Sequence, residues 1–218
     1  MQDGVAETEQ HPCIYVLAGT NGAGKSSVGG AAIRERGADY FNPDEAARRI
    51  RSANPHVSQE DANIAAWHEG KHLLEEAIAS RLTFAFETTL GGETITGLLK
   101  QALAARIEVR VWYVGLTSPE QHIARVRARV ARGGHDIPED KIRERYDSSR
   151  LNLIRLLPEW TEARVFDNSA EADPATGSAP TPLLVLHMVH GKIVTVCDLA
   201  QVPDWAKPVV VAAMKSSR

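Results

Sequence analysis

Short apolar runs alternate with longer amphipathic segments along this chain. Runs that are apolar almost throughout are typical of strands buried on both faces, and such strands belong to parallel sheets covered by helices. Together with a short apolar step at 39–41, the alternation predicts a three-layer α/β domain with a mainly parallel sheet. The strand candidates are residues 13–18 (CIYVLA), 82–87 (LTFAFE), 107–116 (IEVRVWYVGL) and 163–167 (ARVFD).

Helical segments fill the intervals between these runs. Ser58 and Ser118 stand at expected N-cap positions, because each precedes an acid or an amide by three residues. The helices are predicted at about 26–36, 44–51, 58–80 and 94–105, followed by two basic helices around a Gly-Gly turn at 133–134. Within 58–80, a helical wheel predicts one apolar stripe made of Ile64, Trp67, Leu74 and Ile78.

The two ends of the chain differ from this regular core. Residues 1–12 are polar and acidic and are expected to form a flexible tail, whereas 13–169 contain the strand–helix alternation. Residues 170–182 are small, polar and proline-rich, which is typical of a linker or loop. Residues 183–218 contain two apolar runs around His190-Gly191, which predict a hairpin and then a short helix packed on the same domain.

Composition narrows the class of protein. The chain has 218 residues, of which 43% are hydrophobic and 24% charged, and its net charge is −3; these values are typical of one soluble globular domain. A dedicated nucleic-acid binder is normally strongly basic. Neither a secretory signal nor an apolar run of about 18 residues is found. With only two cysteines, Cys13 and Cys197, a reducing cytoplasm is expected, with no membrane or nucleic-acid partner.

Residues 19–26, Gly-Thr-Asn-Gly-Ala-Gly-Lys-Ser, match the pattern G-x-x-x-x-G-K-[ST]. The match lies between a predicted buried strand and a predicted helix, as this phosphate-binding loop requires. In such a loop, backbone N–H groups and the lysine bind phosphate and the serine hydroxyl binds Mg²⁺. A chance match of a glycine-rich turn is the alternative. Nucleotide binding is therefore predicted for Asn21, Gly22, Ala23, Gly24, Lys25, Ser26 and Ser27, with Ser26 as the metal ligand.

A carboxylate follows the next short apolar step. Asp44 stands at the end of a short strand or the start of a helix, at the sheet edge from which the phosphate-binding loop projects. It could take the proton from an attacking hydroxyl, which is the base role in phosphoryl transfer. The alternative is that Asp44 only caps the helix that follows. No N-K-x-D or D-x-x-G motif is found, so a GTPase switch is not expected.

A second acid ends the run LTFAFE and precedes two threonines. Glu87 could orient Mg²⁺ through water or hold a substrate hydroxyl, with Thr88 and Thr89 beside it. The alternative is an exposed acid at the sheet edge without a partner.

Basic residues are concentrated in one stretch. Residues 121–155 hold nine basic and five acidic residues, a net charge of +4 on a remainder of −7. Two helices joined by the Gly-Gly turn could close over a phosphate site as a lid, at about residues 125–146, in which Arg132 and Arg145 neutralise the transferred phosphoryl group. The remaining arginines are interpreted as solvated helix positions that pair with neighbouring acids: Arg125, Arg127, Arg129, Arg143, Arg150 and Arg155.

A second short motif points to different chemistry. Residues 68–72, His-Glu-Gly-Lys-His, match H-E-x-x-H, the pattern that places two zinc-binding histidines one helical turn apart. No third ligand is marked downstream, so a chance match is favoured over a zinc site.

Taken together, the motifs resemble those of the zeta-toxin family of P-loop kinases, in its smaller and widely distributed branch. The ETTL and RGGH-x-[IV]-P-E stretches are the most specific to this branch. The matching stretches run from about residue 13 to residue 169: IYVLAGTNGAGKSS, FNPDEAA, FAFETTLGG, RVRARVARGGHDIPEDKIRERY and ARVFDNS.

The resemblance implies a kinase that moves the γ-phosphate of ATP to the 3′-hydroxyl of UDP-N-acetylglucosamine or a related UDP-amino sugar, as a toxin that blocks cell-wall precursor synthesis. It also implies a small helical antitoxin as partner. The implied roles are catalytic for Lys25, Asp44 (the general base), Arg132 and Arg145, and substrate-binding for Glu87, Thr88 and Thr89.

Two alternatives stay open at this point. One is a kinase that phosphorylates another small hydroxyl compound, such as a nucleoside or a cofactor. The other is a regulatory module that binds ATP and transfers nothing.

Overall fold

One sheet runs through the part of the chain that the computed structural model describes, residues 11–29, 40–171 and 181–217. Its strand order is β2-β3-β1-β4-β5-β6-β7. Strands β1 to β5 are parallel, and β6 and β7 continue the sheet in antiparallel orientation. The prediction of a mainly parallel sheet with a C-terminal hairpin is confirmed. The strands are β1 (Cys13–Ala18), β2 (Tyr40–Phe41), β3 (Phe84–Thr88), β4 (Glu108–Gly115), β5 (Glu162–Asp167), β6 (Leu183–Val189) and β7 (Lys192–Val196).

Helices pack on both faces of this sheet. Ile14 and Val16 of β1 belong to the large core cluster, which most of the helices join, whereas Leu17 belongs to a smaller cluster on the opposite face, against which Val28 packs. Alternate strand residues thus serve two helical layers, as the continuous apolar runs predict. The helices are α1 (Lys25–Val28), α2 (Pro43–Ala53), α3 (Gln59–Ala79), α4 (Glu93–Ala104), α5 (Pro119–Val130), α6 (Glu139–Leu156) and α7 (Lys207–Ser216).

Some predictions fall on segments outside the described residues. These are most of the tail 1–12, the continuation of the first helix towards residue 36, and most of the linker 170–182. They stay predictions.

The apolar stripe predicted for helix α3 packs on the core only in its second half, at Leu74 and Ile78. Ile64 and Trp67 are 51% and 42% exposed. The buried face consists largely of small residues, because the helix approaches β2 closely at Gly70: a Cβ there would lie 2.5 Å from the Phe41 ring. The buried residues of α3 recur about one turn apart, and all but Leu74 are small: Ala62, Ala66, Gly70, Leu74 and Ala77.

The two predicted serine caps are confirmed. Ser58 Oγ accepts a hydrogen bond from the backbone N–H of Asp61 at 3.0 Å, and Ser118 Oγ accepts one from that of Gln121 at 3.3 Å. Each bond satisfies one of the four N–H groups that a helix leaves free at its start.

The C-terminal segment extends the same sheet. Strand β6 pairs with β5, and the Trp205 ring packs so closely on Gly115 that a Cβ at this glycine would lie 2.4 Å from it. Trp205 Nε1 also donates a hydrogen bond to Asp167 Oδ1 at 2.7 Å. Among the described helices, none is both long enough and apolar enough to cross a membrane.

The parallel strands bring four loops to one edge of the sheet. The backbone N–H of Gly19, after β1, donates to the Thr88 carbonyl at the end of β3, at 3.2 Å. The backbone N–H of Asn168, after β5, donates to the Gly115 carbonyl at the end of β4, at 3.0 Å. Ligands of open α/β sheets bind at this carboxyl edge.

Candidate active site

The loop at residues 19–26 has a conformation that only its glycines permit. Gly22 and Gly24 have φ angles of 83° and 84°, in the left-handed region that side chains disfavour. Neither position has space for a side chain. A Cβ at Gly22 would lie 2.6 Å from the His122 carbonyl oxygen, and one at Gly24 would lie 2.5 Å from Asn168 Nδ2. The curl of the loop therefore depends on glycine at both positions, because its neighbours leave no space for a side chain.

Lys25 is the cation around which the other charges gather. Its Nζ donates a hydrogen bond to the Gly19 carbonyl at 3.0 Å. Burial lowers the pKa of Lys25, the carboxylates of Glu87 and Asp44 raise it, and the guanidinium groups of Arg129 and Arg145 lower it. All four charges lie close enough to act on this ammonium group.

Glu87 is buried and accepts three hydrogen bonds on one oxygen. Ser26 Oγ donates to Oε1 at 2.6 Å and Asn42 Nδ2 at 3.1 Å, and the Tyr40 hydroxyl donates to the same atom. The alternative of an exposed acid without a partner is therefore wrong. The Ser26 hydroxyl and the Glu87 carboxylate are hard oxygen donors of the kind that Mg²⁺ prefers beside phosphate oxygens.

Asp44 does not cap helix α2. The N-cap is Asn42, whose Oδ1 accepts hydrogen bonds from the backbone N–H groups of Asp44 and Glu45 at 2.8 and 3.2 Å. The Asp44 carboxylate instead faces the end of α5 and the loop that follows it: Arg129 Nη1 of α5 lies 3.1 Å from Oδ2, and His135 Nε2 of the loop lies 3.5 Å from Oδ1. The capping alternative is therefore wrong.

Arg129 contacts Asp44, while Arg132 is exposed. The sequence interpretation assigned Arg129 to a solvated helix face, and this is wrong. Its Nε is buried and has no hydrogen-bond partner in the described part of the chain. A buried N–H without a partner is costly, and a phosphate oxygen would satisfy it. The role predicted for Arg132 stays a prediction.

Arg145 reaches the phosphate-binding loop from helix α6. Its Nη1 donates to Asn21 Oδ1 at 2.9 Å, and its backbone carbonyl accepts from Thr20 Oγ1 at 3.3 Å. Burial lowers the pKa of this guanidinium. Helix α6 is thus tied to the loop from both its backbone and its side chain.

Most of the other arginines lie on helix surfaces, as the sequence interpretation has them. Arg127 and Arg143 are exposed and pair with Glu139 and Glu120, Arg150 is partly buried and pairs with Asp147, and Arg155 is exposed. Pairs of this kind contribute little to stability.

Arg125 belongs to the loop after β5 instead. Its Nη2 donates to the carbonyl oxygens of Asn168 and Ala170 at 2.7 and 3.3 Å. Asn168 Nδ2 in turn donates to the Ala23 carbonyl at 2.9 Å. The loop after β5 is therefore joined to the phosphate-binding loop, which no sequence pattern considered above indicates.

Thr88, the last residue of β3, stabilises the turn that follows it. Thr88 Oγ1 accepts a hydrogen bond from the backbone N–H of Leu90 at 3.0 Å. This bond supports Leu90, which has a φ of 56° and is fully buried. Thr89 is half-buried beside it. Substrate binding by Thr88 and Thr89 stays a prediction.

The H-E-x-x-H match shows no sign of metal binding. His68 and His72 are exposed, and Glu69 pairs with Arg49 at 2.7 Å while Lys71 pairs with Glu75 at 2.6 Å. Among the described residues no group of three or more His, Cys, Asp or Glu side chains could hold a metal ion.

His122 contacts the backbone of the phosphate-binding loop at Asn21. The sequence patterns did not indicate this residue. It is 1% exposed, and its Nδ1 lies 2.8 Å from the Asn21 carbonyl oxygen. Because a carbonyl can only accept, Nδ1 carries the proton. Burial lowers the pKa of His122 to about 4, helped by the charges of Lys25 and Arg125 and opposed by the bond to Asn21. The ring is neutral at neutral pH.

The stability of the protein should therefore depend on pH through His122. Between its unfolded value of about 6.5 and its folded value, only the unfolded chain binds the proton, so the free energy of unfolding falls as pH falls. Acidification from pH 6.5 to 5 should cost about 2 kcal/mol, measured by urea denaturation at each pH. His122→Asn keeps a donor near Nδ1 and should flatten this dependence, whereas His72→Asn, at an exposed position, should not. Equal pH dependence of His122→Asn and wild type would contradict the assignment.

A phosphate-binding loop at the carboxyl edge of this sheet, with a carboxylate and two arginines around its lysine, defines the P-loop kinase fold class. The chain belongs to the zeta toxin family, since the Zeta toxin family profile matches residues 2–172. An uncharacterized protein of Haemophilus influenzae is 34% identical over 141 residues, which cover 63% of this chain and 94% of that protein.

Solved structures show the same fold. The AvrRxo1-ORF1 chain from its complex with AvrRxo1-ORF2 and sulphate ions superposes with a TM-score of 0.66 at 16% identity over 92% of this chain. This chain spans 65% of its length, and the same complex is known with ATP. A chain of the PezAT chromosomal toxin-antitoxin system of Streptococcus pneumoniae has a TM-score of 0.56 at 15% identity, covering 99% of this chain and 89% of its own.

Proposed function

We propose that this protein is a Mg²⁺- and ATP-dependent kinase that phosphorylates a hydroxyl group of a small molecule. The observation that carries the proposal is the convergence on Lys25: two carboxylates and two guanidinium groups act on this one ammonium group at the phosphate-binding loop. Phosphoryl transfer needs these parts, namely cations for the transferred group and a carboxylate for the proton.

The loop and the arginines would bind the triphosphate. Residues 21–27, including Lys25, would hold the phosphates, and Arg145 would turn from Asn21 to the γ-phosphate. The Nε of Arg129 has no hydrogen-bond partner among the described residues, so this guanidinium has a donor left for an oxygen acceptor. Ser26, with Glu87 behind it, would hold Mg²⁺, which supplies charge neutralisation of the β- and γ-phosphates when bound.

Asp44 would act as the general base. The acceptor hydroxyl gives its proton to the carboxylate while its oxygen forms a bond to the γ-phosphorus, and the bond between that phosphorus and the β,γ-bridging oxygen breaks, so that ADP leaves. The Asn42 cap holds the first turn of α2 while the carboxylate accepts the proton.

Helices α5 and α6, with the loop between them, would form a lid over about residues 125–146. Contacts from both helices support this role, because Arg129 reaches Asp44 and Arg145 reaches Asn21. A lid that excludes water protects the phosphoryl group from hydrolysis.

For the acceptor we propose a UDP-N-acetyl amino sugar such as UDP-N-acetylglucosamine. Family membership supports this choice, and Glu87, Thr88 and Thr89 would bind the acceptor, since Glu87 contacts Asn42 and Thr88 contacts the start of the loop. The structural neighbour from the PezAT toxin-antitoxin system also supports a small antitoxin partner for this chain.

Incubation of the purified protein with γ-labelled ATP, Mg²⁺ and UDP-N-acetylglucosamine tests the proposal. The expected result is a labelled sugar nucleotide that requires all three components. A product with another acceptor, in a parallel screen of nucleosides and cofactors, would reject the amino sugar and keep the kinase. ATP binding without label transfer to any acceptor would reject the kinase in favour of a nucleotide-binding module.

A further inference from the structure

We infer that His135 is a positioning residue for Asp44, and that the loop between α5 and α6 thereby orients the general base whenever it closes over the site. This inference rests on the proposed function, because it assigns a partner to the proposed base. The juxtaposition that carries it is His135 Nε2 at 3.5 Å from Asp44 Oδ1, with Arg129 bonded to both residues.

Arg129 joins the base to the loop. Its Nη1 donates to Asp44 Oδ2 and its Nη2 donates to the backbone carbonyl of His135, each at 3.1 Å. One planar guanidinium thus fixes the distance between the carboxylate and the loop backbone. The His135 imidazole contacts the second carboxylate oxygen, Oδ1. Arg129 of α5 and His135 of the loop therefore contact one oxygen of Asp44 each.

Gly134 makes this arrangement possible. A Cβ at this position would lie 2.6 Å from Arg129 Cγ and 3.0 Å from the Arg129 carbonyl oxygen. The backbone can therefore pass directly over Arg129 only because residue 134 is glycine. This path places the next residue, His135, beside Asp44. Close packing against Arg129, and not only backbone flexibility, therefore requires glycine at position 134.

The imidazole is enclosed among charges from three elements. Its side chain is 10% exposed. Burial lowers the pKa of His135, Arg129 of α5 and Arg48 of α2 lower it further, and Asp44 of α2 and Asp136 of the loop raise it. At neutral pH the ring is therefore neutral and can offer Asp44 an N–H without a competing charge.

Protonation would change this relation. An imidazolium beside Asp44 would stabilise the carboxylate ion and make it a weaker acceptor for the substrate proton. Activity should therefore fall on acidification partly through His135. A histidine with a merely structural role would not contribute to the loss of activity at acidic pH.

The test compares two substitutions in the full chain, with ATP, Mg²⁺ and UDP-N-acetylglucosamine. His135→Leu removes the polar atom and should lower kcat about 10- to 100-fold, with KM for ATP unchanged, as expected when a reacting group loses its orientation. His135→Gln places an amide near the Nε2 position, so it should keep most of kcat and shift the acidic limb of the pH profile to lower pH. His72→Gln, at an exposed position, is the matched control and should behave as wild type.

A second readout does not depend on turnover. In histidine-labelled protein, the NMR signal that disappears in His135→Gln reports the pKa of His135. Asp44→Asn should lower that pKa, because the carboxylate raises it.

The outcomes separate the two proposals. A wild-type kcat in His135→Leu, or an unchanged pKa of His135 in Asp44→Asn, overturns the inference. If the wild type transfers no phosphate to UDP-N-acetylglucosamine while the pKa responds to Asp44→Asn, the proposed acceptor fails and the coupling between His135 and Asp44 stands.

Discussion

Lys25→Met is expected to lower phosphoryl transfer by about 10²- to 10³-fold, the scale on which single charge-stabilising groups contribute to catalysis. Methionine keeps the length of the side chain and removes its charge. The triphosphate would then meet Glu87 and Asp44 without the cation that lies between them and the loop, so ATP binding should weaken as well.

The fold should tolerate this change. Burial lowers the pKa of Lys25, which means that the structure holds the ammonium ion at a cost and loses little stability when the charge is removed. The matched control is Lys207→Met, because Lys207 is 60% exposed and pairs with the exposed Asp204. Initial rates, calorimetric ATP titration and a thermal melt check the prediction, and a wild-type rate in Lys25→Met would contradict it.

The sheet could be predicted from the sequence because its strands are buried on both faces. Continuous apolar runs mark β1, β3, β4 and β5 within about two residues of their observed ends. The buried face of α3 could not be predicted in full, because large apolar residues dominate a helical wheel. The packing of α3 depends instead on how closely the helix approaches the sheet. Gly70 against Phe41 is visible only when both are placed.

The candidate site divides in the same way. Lys25, Ser26, Asp44 and Glu87 could be proposed from the sequence because each stands in a motif of fixed spacing or at the end of a strand, whereas Arg145 was proposed from the basic lid segment. Asn42 stands two residues before Asp44, and an asparagine before a proline and two acids is a readable N-cap signal that would have removed the capping alternative from the start.

The groups that the sequence did not reveal act across long separations. Arg129 reaches Asp44 over 85 residues and His122 reaches Asn21 over 101 residues. Arg129 and Arg132 are both basic positions beside the Gly-Gly turn, and only the close passage of Gly134 over Arg129 determines which of them faces Asp44 in the structure. Such choices depend on tertiary packing, which local pattern does not encode.

Asp44→Asn is expected to lower kcat about 10²- to 10⁴-fold, the range that general base catalysis contributes. The amide keeps the shape of the side chain and can still meet one N–H of Arg129, but it cannot accept the proton of the acceptor hydroxyl. Helix α2 should keep its stability because Asn42 supplies the cap. ATP binding should be kept or strengthened, since a negative charge close to the phosphates is removed.

Glu45→Gln is the matched control, because it makes the same acid-to-amide change at an exposed position in the same helical turn. Label transfer, calorimetric ATP titration and urea denaturation of both variants separate chemistry from binding and folding. If Asp44→Asn lost stability to the same extent as activity, the residue would be structural, and if it kept wild-type kcat another group would have to take the proton. A large loss of kcat with intact ATP binding, absent in Glu45→Gln, is the result that only a base at Asp44 produces.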